Sequence, residues 1–270
     1  MKKSRLFTVM SVIIFIAGAG MVVYPYLAEY INSLARSEAV ADYDGIADRM
    51  AEERVKGLLE SAEEYNKRLS DTGQQGEDYY NQLDVDGKGM MGYVEIPKIN
   101  CILPVFHSTD EKVMKNSVGH LAGSSLPIGG TGTHSVLSAH RGELSSRLFT
   151  DLDKLETGDI FIIRVLGRSL VYEIESIITV LPEQTETLAI ENEKDLCTLV
   201  TCTPFGINTH RLLVRGHRTE YHNDIPVAEE ESKLTELSVF IVLSAVFLGI
   251  VVCLAAVIAV RKYRRKKAQQ

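Results

Sequence analysis

Cysteine is scarce in this sequence, and the positions of its few cysteines exclude two common roles. The 270 residues include only four, Cys101, Cys197, Cys202 and Cys253. No two of them stand at the Cys-x2-Cys spacing of a structural zinc site. Cys253 lies in an apolar run, and the other three are odd in number and not closely spaced. The sequence therefore predicts neither a zinc site nor a disulfide scaffold.

Other metal-binding patterns are also missing. Residues 84–89 read Asp-Val-Asp-Gly-Lys-Gly, which is similar to the start of a calcium loop. The run lacks the glutamate that such a loop carries further along the chain. We therefore expect no metal and no cofactor.

Basic residues are in deficit everywhere except at the two ends of the chain. The whole sequence has 29 Lys and Arg against 36 Asp and Glu, a net charge of −7. Residues 1–5 and 261–270 hold nine of the basic residues and no acidic one, so the remainder has 20 basic and 36 acidic residues and a net charge of −16. An acidic body of this kind argues against nucleic acid as a partner.

Long apolar runs occur only twice, at residues 6–28 and 237–260. Each reaches the roughly 20 residues that a helix needs to cross a bilayer. Basic residues lie between each run and the nearer end of the chain. The positive-inside rule therefore predicts that both termini are cytoplasmic. The first run also has features of a secretory signal peptide, with small residues at 17–20, but its length favours an uncleaved anchor.

Between the two runs, the spacing of apolar residues changes near residue 90. Residues 29–69 carry apolar residues at spacings of three and four, which predicts helices with a break at Asp44-Gly45. A polar, glycine-rich loop follows. From Met91 onward the chain has seven or eight short β-type runs separated by turn residues, which predicts a β-barrel or sandwich. A segment outside the membrane with so few cysteines fits a surface that does not rely on disulfides, such as that of a Gram-positive bacterium.

A thiol and a cation stand at the two ends of one predicted hairpin. Cys202 ends one strand and Arg211 begins the next, so the hairpin brings them together. This pairing is typical of an activated nucleophile with an electrostatic clamp. The alternative is a buried, inert cysteine, which is the more common state of an isolated cysteine. Cys197 is five residues earlier and is predicted to face the other side of the strand, in the core.

Seven histidines are candidates for the base. His140 stands out because it ends an apolar strand and is followed by Arg141-Gly142, at a barrel rim where catalytic groups collect. His120 and His134 remain alternatives. A thiolate that attacks an amide, an imidazole that handles the proton and a cation that stabilises the oxyanion give a thioacyl-enzyme. Water or an amine can resolve it, and the residues alone do not choose between the two.

These residues lie in motifs that resemble a known family. Thr198-Leu-Val-Thr-Cys202 matches the Thr-Leu-x-Thr-Cys signature of sortases, the surface transpeptidases of Gram-positive bacteria. Longer stretches are similar to the pilus-assembling class C sortases, and they are Met91-Gly-Tyr-Val-Glu-Ile-Pro-Lys-Ile99, Gly119-His-Leu, Gly123-Ser-Ser-Leu-Pro127, Leu137-Ser-Ala-His-Arg-Gly142, Leu148-Phe-Thr-Asp-Leu-Asp-Lys-Leu155 and the run from Cys202 to Gly216. The resemblance covers about residues 85–220.

The resemblance implies a mainly β fold, an eight-stranded closed sortase barrel with N-terminal helices and a transmembrane helix at each end. It implies His140 as the catalytic histidine, Cys202 as the nucleophile and Arg211 as the catalytic arginine. Substrates would be pilins or surface proteins with a Leu-Pro-x-Thr-Gly-like signal, cleaved between Thr and Gly and joined to a pilin lysine. Anchoring of proteins to peptidoglycan is the alternative role, and simple hydrolysis and a non-enzymatic surface barrel are further ones.

The chain departs from the family before the barrel. Pilus sortases usually carry a lid with an Asp-Pro-aromatic motif that plugs the active site, and no such tripeptide occurs between Leu69 and Met90. Asp78 and Tyr79 are the nearest candidates for a lid. The divisions expected along the chain are a cytoplasmic N-terminus (1–5), an anchor or signal (6–28), N-terminal helices (29–69), a lid-like loop region (70–90), the catalytic barrel (91–219), a linker (220–236), a transmembrane helix (237–260) and a basic cytoplasmic tail (261–270).

Overall fold

Two helices precede the β-structure. The structure is a computed structural model that describes residues 2–143, 145–220, 239–247, 249–250 and 258. Helix α1 spans Lys2–Ala47 and α2 spans Glu52–Thr72, so the helices break at residues 48–51 rather than at Asp44-Gly45. Helix α2 ends at Gly73, whose φ of 66° is the left-handed conformation that glycine adopts at low cost. The predicted helical region before the barrel is confirmed, with its break a few residues later.

Eight strands follow the helices and close into one barrel. They are β1 Met90–Ile96, β2 Cys101–His107, β3 Val118–His120, β4 Thr133–Ser138, β5 Ile160–Val165, β6 Arg168–Val180, β7 Asp195–Thr203 and β8 His210–Thr219, with a short helix α3 at Glu111–Met114. Around the barrel the order is β1-β2-β3-β4-β7-β8-β6-β5. The predicted closed eight-stranded barrel is confirmed. The alternation of apolar and polar residues in the sequence did not predict β3, because three residues are too few to show it.

The barrel interior holds the main hydrophobic core. Alternate residues of each strand point inward, and in the three strands that matter most they include Leu137 of β4, Leu199 of β7 and Val214 of β8, all at most 1% exposed. Gly216 of β8 lies against the ring of Phe161, where a Cβ atom would approach to 2.8 Å. A side chain at this position would collide with Phe161 of β5 and Tyr172 of β6, which fill the barrel interior there.

Helix α1 is also the candidate for a membrane span. Among the described residues it is the one helix long and apolar enough to cross a bilayer, over Ile13–Ala47 near the N-terminus. Most of the predicted linker 220–236, about half of the second apolar run 237–260 and the tail 261–270 lie outside the described residues. Residues 239–247 and 249–250, within the second run, are helical.

Candidate active site

Cys202 and Arg211 lie directly opposite each other on β7 and β8. The antiparallel register pairs these two residues, one step from the end of the ladder. Directly opposed residues of an antiparallel pair have Cα atoms about 4.5–5.5 Å apart and side chains on the same face. The hairpin therefore brings the thiol and the guanidinium together.

His140 lies beside Cys202 on the other flank of β7. Strands β4 and β7 are parallel, and their last paired residues are Ser138 and Val200. The pairing continues past the strand end, because Ala139 N donates to the Val200 carbonyl at 3.1 Å and Thr201 Oγ1 donates to the Ala139 carbonyl at 2.8 Å. His140 and Cys202 come next on strands about 4.8 Å apart. Three neighbouring strands thus present His140, Cys202 and Arg211 side by side.

All three side chains point away from the packed interior. Leu137, Leu199 and Val214 face inward, so the alternation of each strand turns His140, Cys202 and Arg211 outward. Each of the three is half-buried. The Arg211 guanidinium donates to the backbone carbonyls of Asn208 at 3.2 Å and His210 at 3.0 Å. The thiol is therefore reachable from outside and has a fixed cation beside it.

The other two cysteines described are not accessible. Cys101 and Cys197 are buried, at 4% and 0% exposure. Burial raises the pKa of the Cys197 thiol well above its ordinary value, and the nearby Asp195 carboxylate adds to this effect. The prediction that Cys197 belongs to the core is confirmed. Such a thiol stays protonated and cannot act as a nucleophile.

The alternative histidines are both structural. His120 is completely buried; its Nε2–H donates to the Ser125 carbonyl at 2.8 Å and its Nδ1 accepts from the Tyr79 hydroxyl at 2.9 Å. Burial lowers its pKa to about 4, and the bond to Ser125 opposes this only in part. His134 is also buried, donates from Nδ1 to the Ala189 carbonyl and accepts at Nε2 from Thr198. Both rings are saturated with partners, which leaves His140 as the histidine beside the thiol.

The two threonines of the Thr198-Leu-Val-Thr-Cys202 motif fasten β7 to β4. Thr198 donates outward to His134 at 2.7 Å, while Thr201 donates inward to the Ala139 carbonyl at 2.8 Å. Leu199 between them packs in the core. The motif therefore sets the position of the cysteine relative to the strand that leads to His140.

Comparisons with known proteins agree with this geometry. Residues 94–219 match the model of the sortase domain. The chain is 49% identical to sortase C1 of Streptococcus agalactiae, with a TM-score of 0.66 over 68% of this chain and 100% of that one. It is 41% identical to sortase C of Clostridium perfringens, with a TM-score of 0.61 over 68% and 99%. Sortase D of Bacillus subtilis is 27% identical over 76% of this chain and 96% of its own length.

The chain belongs to the sortase family. It is a cysteine transpeptidase, and the solved structures to which it is similar are class C sortases.

A cluster of apolar side chains lies on the outer face of this sortase beside the three residues, and we call it, together with the cleft that continues from it, the groove. Val136, Val200 and Leu213 form the floor, on the same faces of β4, β7 and β8 as His140, Cys202 and Arg211. Leu121, Val180 and Leu188 pack against this floor. A cleft of about 410 Å³ continues from it between the end of α2 and the β6–β7 loop. The sequence reasoning missed this groove, although the apolar outward positions of three neighbouring strands were its signal.

A second feature that the sequence did not reveal joins the two loops of the site. Arg141, next to His140, lies with its guanidinium 3.4 Å from Thr203 Oγ1 and 6.0 Å from the centre of the Phe205 ring. It also forms an ion pair with Asp153. These contacts connect the loop after β4 to the loop after β7, so the two loops are held together.

The structure gives both lid candidates partners outside the Cys202 site. Asp78 forms an ion pair with Arg68 of α2 at 2.6 Å, on the surface. Tyr79 has no exposed area, and its hydroxyl bonds to His120 and to the backbone N–H of Ser108. Tyr79 is thus part of the core, and the contacts of neither residue support a role in covering Cys202.

No group of three or more His, Cys, Asp or Glu side chains within the described residues is arranged to hold a metal ion. The Asp84 carboxylate instead accepts bonds from the backbone N–H groups of Gly87 and Gly89, and so closes its own loop.

Proposed function

We propose that this sortase cleaves a Leu-Pro-x-Thr-Gly-like sorting signal between Thr and Gly and joins the Thr carbonyl to a lysine of a pilin subunit. The observation that carries the proposal is the placement of His140, Cys202 and Arg211 at adjacent positions of three neighbouring strands. The thiol supplies a nucleophile, the imidazole a proton carrier and the guanidinium a fixed positive charge.

The reaction follows from these three groups. The Cys202 thiolate attacks the Thr carbonyl carbon, and Arg211 stabilises the oxyanion that forms. The carbon–nitrogen bond to Gly then breaks, and His140 gives a proton to the departing amine, which leaves a thioester on Cys202. The lysine amine attacks this thioester, His140 accepts a proton from the amine, and the thiolate leaves as the new amide forms.

The apolar groove is suited to the first two residues of the signal. Its floor of Val136, Val200 and Leu213 is on the face that leads to the thiol, so a Leu-Pro pair there would place the Thr carbonyl near Cys202. Burying a leucine side chain in such a groove contributes roughly 1.5–3 kcal/mol. The end of the groove at His140, Cys202 and Arg211 then needs to accommodate only the scissile bond.

A pilin lysine is the acceptor that the relatives favour. The chain is 35–49% identical to class C sortases over about two thirds of its length. Anchoring of single proteins to a peptidoglycan amine is the second candidate, since the same barrel and the same thioester would serve it. The motifs between Cys202 and Gly216 that resemble the pilus class favour the first.

Both functions place the enzyme at the membrane. Helix α1 supplies one apolar span. The helical residues near 249 lie beside it, because a Cβ atom at Gly249 would lie 3.7 Å from the ring of Phe15. We propose that the two apolar runs are neighbouring anchors and that the barrel is outside the cell.

The test is transpeptidation by the full-length sortase in detergent. A fluorogenic Leu-Pro-x-Thr-Gly peptide reports cleavage, and a pilin or a peptidoglycan stem peptide is offered as the amine. Cys202→Ala is expected to abolish cleavage. Arg211→Ala is expected to lower kcat by roughly 10²–10³, the loss typical of one oxyanion donor.

Arg168→Ala is the matched control, since it removes an exposed arginine at the start of β6 and is expected to leave kcat unchanged. Product formed only with the stem peptide would replace the pilin role by cell-wall anchoring. Cleavage that persists in Cys202→Ala would refute the mechanism altogether.

A further inference from the structure

One buried face of helix α1 contacts the loop that follows His140. Glu29, Asn32 and Arg36 lie three and four residues apart, which places them on one side of the helix. Glu29 is 7% exposed and Arg36 is 2% exposed. Buried charges this close to the rim of an active site call for a structural or functional reason.

The three side chains bind consecutive residues of the loop. Asn32 Nδ2 donates to the Ser145 carbonyl at 2.6 Å, and Arg36 donates to Ser146 Oγ at 2.8 Å. A Glu29 carboxylate oxygen accepts the backbone N–H of Arg147 at 2.9 Å. The helix therefore contacts backbone or side chain at each of three successive positions.

We call Glu29, Asn32 and Arg36 the clamp, and two of these side chains are held by further contacts. Arg36 forms an ion pair with Glu29 at 2.7 Å and donates to Asn116 Oδ1 at 2.8 Å. Ser146 Oγ also donates to Asn116, at 3.1 Å, which ties in the segment just before β3. A buried ion pair adds little net stability because of its desolvation cost, so its value lies in specifying one geometry.

The loop that is held is strained and reaches back to His140. Leu148, directly after the clamped residues, is buried with a φ of 40°, a conformation that costs a leucine on the order of 1–3 kcal/mol. The next backbone N–H, that of Phe149, donates to the His140 carbonyl at 3.2 Å. The clamp, the strained residue and the histidine are therefore connected within ten residues of chain.

We infer that Glu29, Asn32 and Arg36 are positioning residues, which hold residues 145–148 so that His140 stays in place beside Cys202. The inference rests on the proposed function, because the role of His140 comes from it. None of residues 13–28 of α1 is buried, whereas Glu29 and Ser33 are, so α1 leaves the protein body at Glu29. The helix that carries the candidate anchor thus also sets the geometry of the active site.

The experiment compares variants of the full-length sortase in detergent, with the peptide and amine described above. Glu29→Gln keeps the shape and removes the charge, Asn32→Ala removes one bond, and Arg36→Met removes the guanidinium at similar length. Rates are expressed per active site titrated with a thiol reagent. We expect kcat to fall about tenfold in Glu29→Gln and Arg36→Met, with KM for the peptide unchanged.

A merely structural role would lower the number of titrated sites but not the rate per site. The pH profile of kcat is a second readout, and we expect its limbs to shift in Arg36→Met and to recover in part in Arg36→Lys. Glu38→Gln, the same change at an exposed position of α1, is the matched control and is expected to behave as wild type. If Arg36→Met does not fold, Asn32→Ala and Glu29→Gln still give the result.

Unchanged kcat per site and unchanged pH profiles in folded Glu29→Gln and Asn32→Ala would overturn the inference. This failure is distinct from failure of the proposed function, which would appear as activity retained in Cys202→Ala or His140→Ala. Non-additive losses in the double variant Glu29→Gln/Arg36→Met would support the clamp as one unit.

Discussion

At the scale of single residues, burial separates the histidines of this sortase into two kinds. His120 is enclosed by Tyr79, Ser124 and Ser125, and burial keeps its ring neutral by lowering its pKa. His140 is half-buried at the end of the groove. The ring that reaches outward is therefore available for proton transfer, and the enclosed ring serves stability.

His120 makes stability depend on pH. Its pKa is about 4 in the folded protein and about 6.5 when exposed. Between these values the unfolded chain binds a proton that the folded one does not, so the free energy of unfolding falls as the pH falls. The stabilisation is complete above about pH 7.5, and from pH 6.5 to 5 the loss is about 1.5 kcal/mol.

The measurement is thermal unfolding followed by circular dichroism at pH 6.5 and pH 5. His120→Gln is expected to be less stable at pH 6.5 but to change less between the two pH values, because it carries no titrating ring. Equal pH dependence in the variant and the wild type would show that His120 is not the source.

At the scale of elements, the site is built from ends of strands and one loop that forms the groove wall. His140 follows β4, Cys202 is on β7 and Arg211 is on β8, and the β6–β7 loop packs over the floor through Leu188. That loop is held by the bond from His134 to the Ala189 carbonyl at 2.9 Å, and His134 is in turn fixed by Thr198. One hydroxyl of the motif therefore controls the wall of the groove.

Thr198→Val tests this arrangement. It leaves the buried Nε2 of His134 without a donor, at a cost of about 1–3 kcal/mol, and loosens the loop. We expect KM for the signal peptide to rise about tenfold while kcat changes little, since Thr201 still holds β7 to β4 next to Cys202 and His140. Thr131→Val makes the same change at an exposed position and serves as the control. A fall in kcat with KM unchanged would argue against a role in groove shape.

At the scale of the whole molecule, the position of the anchors decides where the chemistry happens. The basic residues at both ends of the chain predict that both termini are inside the cell and that the barrel is outside. Cys101 and Cys197 are buried, so among the described cysteines Cys202 is the one that a thiol reagent can reach in the folded protein.

Labelling of intact cells tests this topology. A membrane-impermeant maleimide is expected to label Cys202 without permeabilisation. In a Cys202→Ala background, a cysteine introduced by Ser4→Cys is expected to react only after the membrane is opened. Labelling at position 4 in intact cells would place the N-terminus outside and contradict the prediction.

Patterns of neighbouring residues in the sequence were sufficient to predict much of the barrel. Alternating apolar residues predicted the strands, and the spacing of Cys202 and Arg211 across a turn predicted their pairing, because an antiparallel hairpin fixes which residues oppose each other. Cys197 was assigned to the core by the same alternation. The strand β3 was not found, because its three residues pair only with β2 and β4, far along the chain.

What the sequence by itself determined is the type of fold and the pairing of Cys202 with Arg211, since strand alternation and the hairpin are written in neighbouring residues. Only the tertiary structure decided which histidine lies beside the thiol, where the groove runs and what holds the loop after His140. Those features join residues far apart in the chain, such as Arg36 and Ser146, 110 positions apart. Their contacts exist only once the barrel has closed and α1 has packed against it.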